Sequence, residues 1–175
     1  DAGKSLAPAH LAKILRQYPV PAGAVLGCLP RQLATVRMLD LPSTDPVEIA
    51  DMMELQTGKL TPYSREEIVS DYKIVGPGRD GYTRVMLVIV QRSVLRSRFS
   101  LMEEAGVPLD VVTVGTEGVL AWLRKTQPAG SSRAAVAVLD VDAAFSDFAV
   151  MAENRLLFTR SILLGADHLQ GEDGA

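Results

Sequence analysis

Leu139-Asp140-Val141-Asp142-Ala143-Ala144-Phe145-Ser146-Asp147-Phe148 reads as a strand, a tight turn and a second strand. A turn of this kind that binds phosphate is expected to carry glycines, because close backbone approach and free N–H groups hold the anion. Here it carries an aspartate and two alanines. Asp142 puts a carboxylate where a polyphosphate would place its own negative charge, and like charges repel. The strand-turn-strand frame of a nucleotide-binding fold is kept while the chemistry of its turn is lost. That favours a binding module over an enzyme.

Downstream and upstream of this turn the chain predicts three strands in meander order, Ala134 to Val141, Phe145 to Ala152 and Leu156 to Leu163. Glu153-Asn154-Arg155 makes the second turn, and a helix starts at Ala166. Gln127-Pro128-Ala129-Gly130-Ser131-Ser132 is linker-like and marks a domain boundary. Before it the order is mixed. Ser5 to Arg16 has the helical spacing of Leu11, Ile14 and Leu15, with Pro8 suited to its first turn. Ala24 to Leu29 and Thr35 to Leu41 read as strands. Asp45 then caps a helix with Pro46 at its first position and Glu48 three residues after the cap. Ile49, Met52 and Met53 share one face of that helix, and Glu48, Asp51 and Glu54 another.

Ile68 to Val75 and Tyr82 to Gln91 are strands around a glycine-rich hairpin turn, Gly76 to Gly81. Val85 to Val90 is continuous enough in apolar residues to be buried on both faces. Ser93 is placed as the cap of a helix carrying Leu95, Phe99 and Met102, stopped by Gly106. A strand over Leu109 to Val114 and a helix over Glu117 to Lys125 complete the first part. Mixed order of this kind predicts an α+β protein, with helices laid on small, antiparallel-rich sheets.

Composition narrows the function. Hydrophobic residues make up 47% and charged ones 22% of 175 residues, enough to bury a real core and too apolar for wholesale disorder. A net charge of −3 gives no general attraction to nucleic acid or to an anionic membrane. No stretch reaches the roughly 18 apolar residues of a membrane span. Cys28 is the one cysteine, which fits a reducing, cytoplasmic setting and a buried structural thiol. His10 and His168 have neither metal-ligand nor Ser-His-Asp spacing around them. Trp122 and Phe99 are expected in the core. Both ends look cut, so a fragment of a larger protein is expected.

Several blocks in order resemble one family. They are Leu29-Pro30, Val36 to Pro42, the helix Glu48 to Gln56, Ser70-Asp71-Tyr72, Glu104 to Val107, Leu139-Asp140-Val141, and Leu157 to Leu169. The chain is similar to the PilM family, the actin-like proteins of type IV pilus assembly, and more distantly to the L-type cytoplasmic component of type II secretion and to FtsA. The resemblance covers most of the chain but only the middle of the family's length. It implies residues 1–23 as the N-terminal helix of a first lobe and 24–106 as an SHS2-type subdomain. Residues 107–127 then return as strand and helix to the first lobe, and 134–175 start a second actin-like (ribonuclease H-like) lobe.

By position, Asp140 matches the acidic residue that helps hold metal and water in actin-like ATPases, and Ser146 and Asp147 match the Thr-Asp pair after the turn. Asp142 departs from the family glycine, and Gly165-Ala166 keeps one glycine of the usual pair. Asp140, Ser146 and Asp147 are therefore candidate remnants of a phosphate hairpin; the plainer alternative is acids at strand ends and turns, where Asp is common. No cofactor is expected in this piece, with ATP and Mg²⁺ left open for the larger protein. The resemblance implies a scaffold at the inner-membrane face of the cytoplasm. It would hold the cytoplasmic tail of a membrane protein between the SHS2-type subdomain and the neighbouring lobe. The sequence names none of that groove's residues. An active, polymerising ATPase of the FtsA type is the alternative. Exposed strand edges predict self-association.

Overall fold

The computed structural model describes residues 8–18, 23–126, 135–153 and 155–169. In chain order the elements are α1 (Pro8–Gln17), β1 (Leu26–Leu29), β2 (Ala34–Leu41), α2 (Pro46–Lys59), β3 (Ile68–Pro77), β4 (Thr83–Gln91) and α3 (Arg92–Glu104). They continue with β5 (Val111–Val114), α4 (Gly115–Thr126), β6 (Val136–Val141), β7 (Ser146–Ala152), β8 (Arg155–Ile162) and α5 (Ala166–Leu169). The expected linker at 127–132 and the start of the first helix at Ser5 lie outside the described residues.

Three small sheets result. β1 and β5 pair in parallel, β2-β4-β3 form an antiparallel sheet, and β6-β7-β8 form the expected meander. Within residues 24–106, the antiparallel sheet and α2 lie between residues 34 and 91, and β1 hydrogen-bonds to β5, beyond residue 106.

β4 is central in its sheet and buried on both faces, as its apolar run predicts. Successive side chains of a strand point to opposite faces. Val85, Leu87 and Ile89 therefore enter one core with Leu41, Ile68 and the α2 residues Ile49 and Met53. Met86 and Val90 enter a second core with Leu29, Val114, Leu120, Met151 and Leu156, drawn from β1, β5, α4, β7 and β8. All three sheets meet in that second core.

α2 begins as its sequence dictates. Asp45 Oδ1 accepts from the Val47 N–H at 2.7 Å and the Glu48 N–H at 3.3 Å, and Pro46 opens the helix. Glu48 does not reach back to the Asp45 amide. Ser43 Oγ takes that amide at 3.0 Å and donates to Glu48 Oε2 at 2.5 Å, extending the cap two residues upstream.

α3 begins two residues earlier than expected. Gln91 stands at its cap without a side-chain capping bond, and Ser93 is already helical. Arg92 anchors this start instead, donating to the carbonyls of Glu66 at 3.0 Å and Ile68 at 2.9 Å. At the other end Gly106 takes φ +81, and the Val107 N–H closes on Met102 O at 2.9 Å. That left-handed position is why glycine stops the helix there.

Three core expectations fail. Trp122 is 60% exposed because α4 buries Thr116, Leu120 and Leu123, which lie on the opposite stripe. Phe99 is exposed because α3 packs shallowly and buries none of its residues fully. Cys28 is exposed because strand alternation gives the inward position to Leu29. Among the described residues no helix is long and apolar enough to cross a membrane.

Candidate functional site

Two concavities flank the β1/β5 pair. The first is a cleft of about 320 Å³ between the end of β1, the start of α4 and the inner face of the third sheet. Asp140, Asp142 and Asp147 all line it, together with Arg31 and Thr116. Asp140 and Asp147 are register partners on β6 and β7. Like charges directly opposite each other on neighbouring strands destabilise a sheet unless a cation balances them.

Arg31 supplies that cation. It follows β1 and is only 8% exposed, with Nη1 donating to Ala34 O at 3.0 Å and Nη2 to Val36 O at 3.2 Å. Burial pushes its pKa down from the ordinary arginine value, and the nearby Asp147 carboxylate pushes it back up. Nothing in the sequence marked Arg31, because its importance comes from the three-dimensional approach of β7.

The turn between β6 and β7 is held by its own chain. The Asp142 N–H donates to Phe145 O at 2.9 Å, and Asp142 Oδ1 accepts from the Ala143 N–H at 2.7 Å. The first amides of α5 close over it, Ala166 N–H onto Asp142 O at 2.8 Å and Asp167 N–H onto Ala143 O at 2.9 Å. Ser146 is buried, and its hydroxyl donates to Leu164 O at 2.6 Å rather than facing the cleft. His168 turns back on the same segment, its Nδ1 accepting from the Gly165 N–H at 3.1 Å. Among the described residues no cluster of three or more His, Cys, Asp or Glu side chains is disposed to hold a metal ion.

The second concavity is a groove of about 250 Å³ between β3 and β5. Each is the outer strand of its sheet among the described residues. Register puts Val69, Asp71 and Lys73 of β3 beside Val90, Val88 and Met86 of β4, so all six share one face. Val112, Thr113 and Val114 form the opposite wall, and Leu29 closes the end shared with the cleft. Lys73 Nζ meets Glu117 Oε2 at 2.6 Å, tying β3 to the first turn of α4 beside the groove. An exposed pair of this kind contributes about 0.2–1 kcal/mol, so it orients the wall more than it stabilises the fold.

The other charged runs resolve into local contacts. Glu54 of the acidic stripe pairs with Arg65 at 2.6 Å, and Glu48 is taken by Ser43. Arg92 donates to the backbone carbonyls of Glu66 and Ile68.

The fold has known counterparts. Residues 9–172 match the family described as type IV pilus assembly protein PilM, and the chain belongs to that family. Its fold is similar to a chain of the "PilM-PilN type IV pilus biogenesis complex", with TM-score 0.77, 19% identity, and coverage of 91% of this chain and 49% of that one. It is also similar to the cytoplasmic domain of EpsL, an inner-membrane component of the type II secretion system of Vibrio cholerae. That match has TM-score 0.58, 13% identity, and covers 89% of this chain and 56% of the other. A Bacteroides thetaiotaomicron protein with an actin-like ATPase fold and unknown function gives TM-score 0.52 at 15% identity, over 94% of this chain and 58% of that protein. The fold is therefore α+β and actin-like, and the chain spans about half the length of the structures it matches.

Gly165 is the residue on which the closed turn depends, since a Cβ there would collide with the carbonyl oxygens of Asp142 and Ala143. Gly165→Ala should push α5 off the turn and lower stability by about 1–3 kcal/mol. Hydrogen exchange at Ala166 and Asp167 measures the dock directly, and unchanged protection of both amides would refute it.

Proposed function

We propose that this chain is the partner-docking part of a PilM-family scaffold in a type IV pilus or secretion assembly platform. Its groove between β3 and β5 takes up an extended peptide from the cytoplasmic tail of an inner-membrane protein. The observation that carries this is two outer strands facing one apolar channel. An extended peptide gains main-chain hydrogen bonds along such an edge and specificity from alternate side chains in pockets. Asp71 beside the channel favours a basic residue on the peptide, and Val88, Val90 and Val112 favour apolar anchors. The scaffold would then sit at the cytoplasmic face of the inner membrane through its partner.

Titration of the full-length protein with a synthetic tail peptide should give a dissociation constant of about 1 µM or somewhat weaker. Thr113→Arg, which fills the channel, should weaken it about tenfold or more, equivalent to about 1.4 kcal/mol. Val47→Arg on the exposed face of α2 should not. Equal affinity in all three proteins would remove the groove from the reading.

For the cleft we propose a relic that no longer turns over ATP. The Asp142 carboxylate already occupies the Ala143 amide that a phosphate in this turn would use, and three carboxylates line the space. Calorimetry of the full-length protein with Mg-ATP should show no saturable heat. Micromolar binding that is lost in Asp140→Ala would reinstate the polymerising ATPase.

Self-association belongs to the same proposal. The outer face of the third sheet exposes Leu139, Val141, Phe158 and Ile162, a row of the kind that usually marks a contact surface. Light scattering of this 175-residue chain at rising concentration should show growth in mass, and a monodisperse monomer would contradict it.

A further inference from the structure

Two side-chain bonds fix the direction of the backbone along the outer edge of β3. In an antiparallel pair, residues that bond across the ladder alternate with residues whose N–H and C=O point away from it. The Tyr72 N–H donates to Asp71 Oδ1 at 2.8 Å, and Ile68 O accepts from Arg92 Nη2 at 2.9 Å. Both groups belong to the outward set, so Ser70, midway between them in the alternation, belongs to it too. Among the described residues no strand lies beyond β3. Toward its far end the edge is closed, since Lys73 is tied to Glu117 and the Arg155 side chain lies where a Cβ on Gly76 would stand. The open backbone is that of Ser70 and Tyr72.

This stretch has a concavity on each face. Val69, Asp71 and Lys73 line the groove beside β5. Ser70 and Tyr72 line a pocket of about 220 Å³ with Ala50, Met53 and Thr57 of α2 and Leu87 of β4. Thr57 Oγ1 already donates to Met53 O at 2.8 Å, so the pocket offers mainly apolar contact. Residues directly opposite on neighbouring strands project on the same face. A strand laid on β3 thus sends alternate side chains into the groove and into the α2 pocket.

We propose that the tail segment adds to β3 as a further strand, in the order β2-β4-β3-tail, and that Asp71 holds the edge until it arrives. This rests on the docking reading above and adds the strand, the second pocket and the competing carboxylate. In the free protein Asp71 occupies the Tyr72 amide, and charged side chains are a common way to blunt an edge strand. An incoming backbone carbonyl takes that amide, and the released carboxylate faces the residue opposite it. Opposite charges across a ladder stabilise each other, and cytoplasmic segments next to a membrane span carry an excess of lysine and arginine. The occupant is therefore an extended tail segment with a lysine or arginine between two apolar residues. The basic side chain meets Asp71 on the groove face, and its apolar neighbours enter the α2 pocket.

Residue-resolved hydrogen exchange of the full-length protein, with and without the synthetic tail peptide, tests this. Saturating peptide should slow exchange at Ser70 and Tyr72 about tenfold or more and leave Val69, Asp71 and Lys73, already bonded to β4, little changed. N-methylation along the peptide should weaken binding at every second position of the paired stretch. Ala50→Phe, which fills the α2 pocket, should weaken it about tenfold. In the free protein Asp71→Ala should speed exchange at Tyr72, and an unchanged rate would remove the carboxylate from the edge. Peptide that binds without protecting Ser70 and Tyr72, or without a period of two in the N-methyl scan, overturns strand addition and leaves groove docking standing. Failure to bind at all sinks both. Protection that grows with protein concentration in the absence of peptide gives the edge to a second copy and overturns the proposal. Should Ala50→Phe fail to fold, the N-methyl scan decides.

Discussion

The structure depends on β4 being a partition. Its alternate side chains feed two cores, Val85, Leu87 and Ile89 on the α2 side and Met86 and Val90 on the side where three sheets meet. A strand buried on both faces has fixed register, since a one-residue slip would exchange the two sets. With β4 fixed, β3 is fixed beside it, and the row Val69, Asp71 and Lys73 must look toward β5. The groove is thus a by-product of how β4 is buried. Its floor is the uncovered margin of the shared core.

The same logic explains what could be read in the sequence. Asp45-Pro46 fixed the start of α2 because a cap is a contact between neighbours in sequence, and the hairpins at 76–81 and 142–145 were legible for the same reason. The apolar run of β4 announced burial on both sides without saying against what. Parallel pairing of β1 with β5 was invisible, because the two strands lie more than 80 residues apart and share no turn. Trp122 and Phe99 looked like core residues by type alone, and only the stripe that α4 and α3 turn inward decides otherwise.

For the candidate site, Asp140, Asp142 and Asp147 do gather in one cleft, while Ser146 turns away to Leu164. What sequence could not supply was the counter-charge. Asp140 opposite Asp147 is an unfavourable cross-strand pair in isolation, and the buried guanidinium of Arg31 makes it tolerable. Arg31 is hard to notice in a sequence because arginine is seldom fully buried. Its two backbone acceptors, Ala34 O and Val36 O, are close by in sequence, but the carboxylate it faces, Asp147, is more than 100 residues away, so its role appears only in the folded chain.

Groove and cleft are not independent, because one thin wall separates them. Leu29 lines both, and β5 borders the groove at Val114 while its continuation, Gly115 and Thr116, borders the cleft. Thr116 Oγ1 lies 3.4 Å from Thr159 Oγ1 on β8, and Glu117, one residue on, pairs with Lys73 on β3. The first turn of α4 is therefore clasped from both sides, by the third sheet and by the antiparallel sheet. A close-packed interior transmits displacement instead of absorbing it. Any displacement of Lys73 relative to Glu117 would therefore be felt along α4, whose first turn also borders the carboxylates of the cleft.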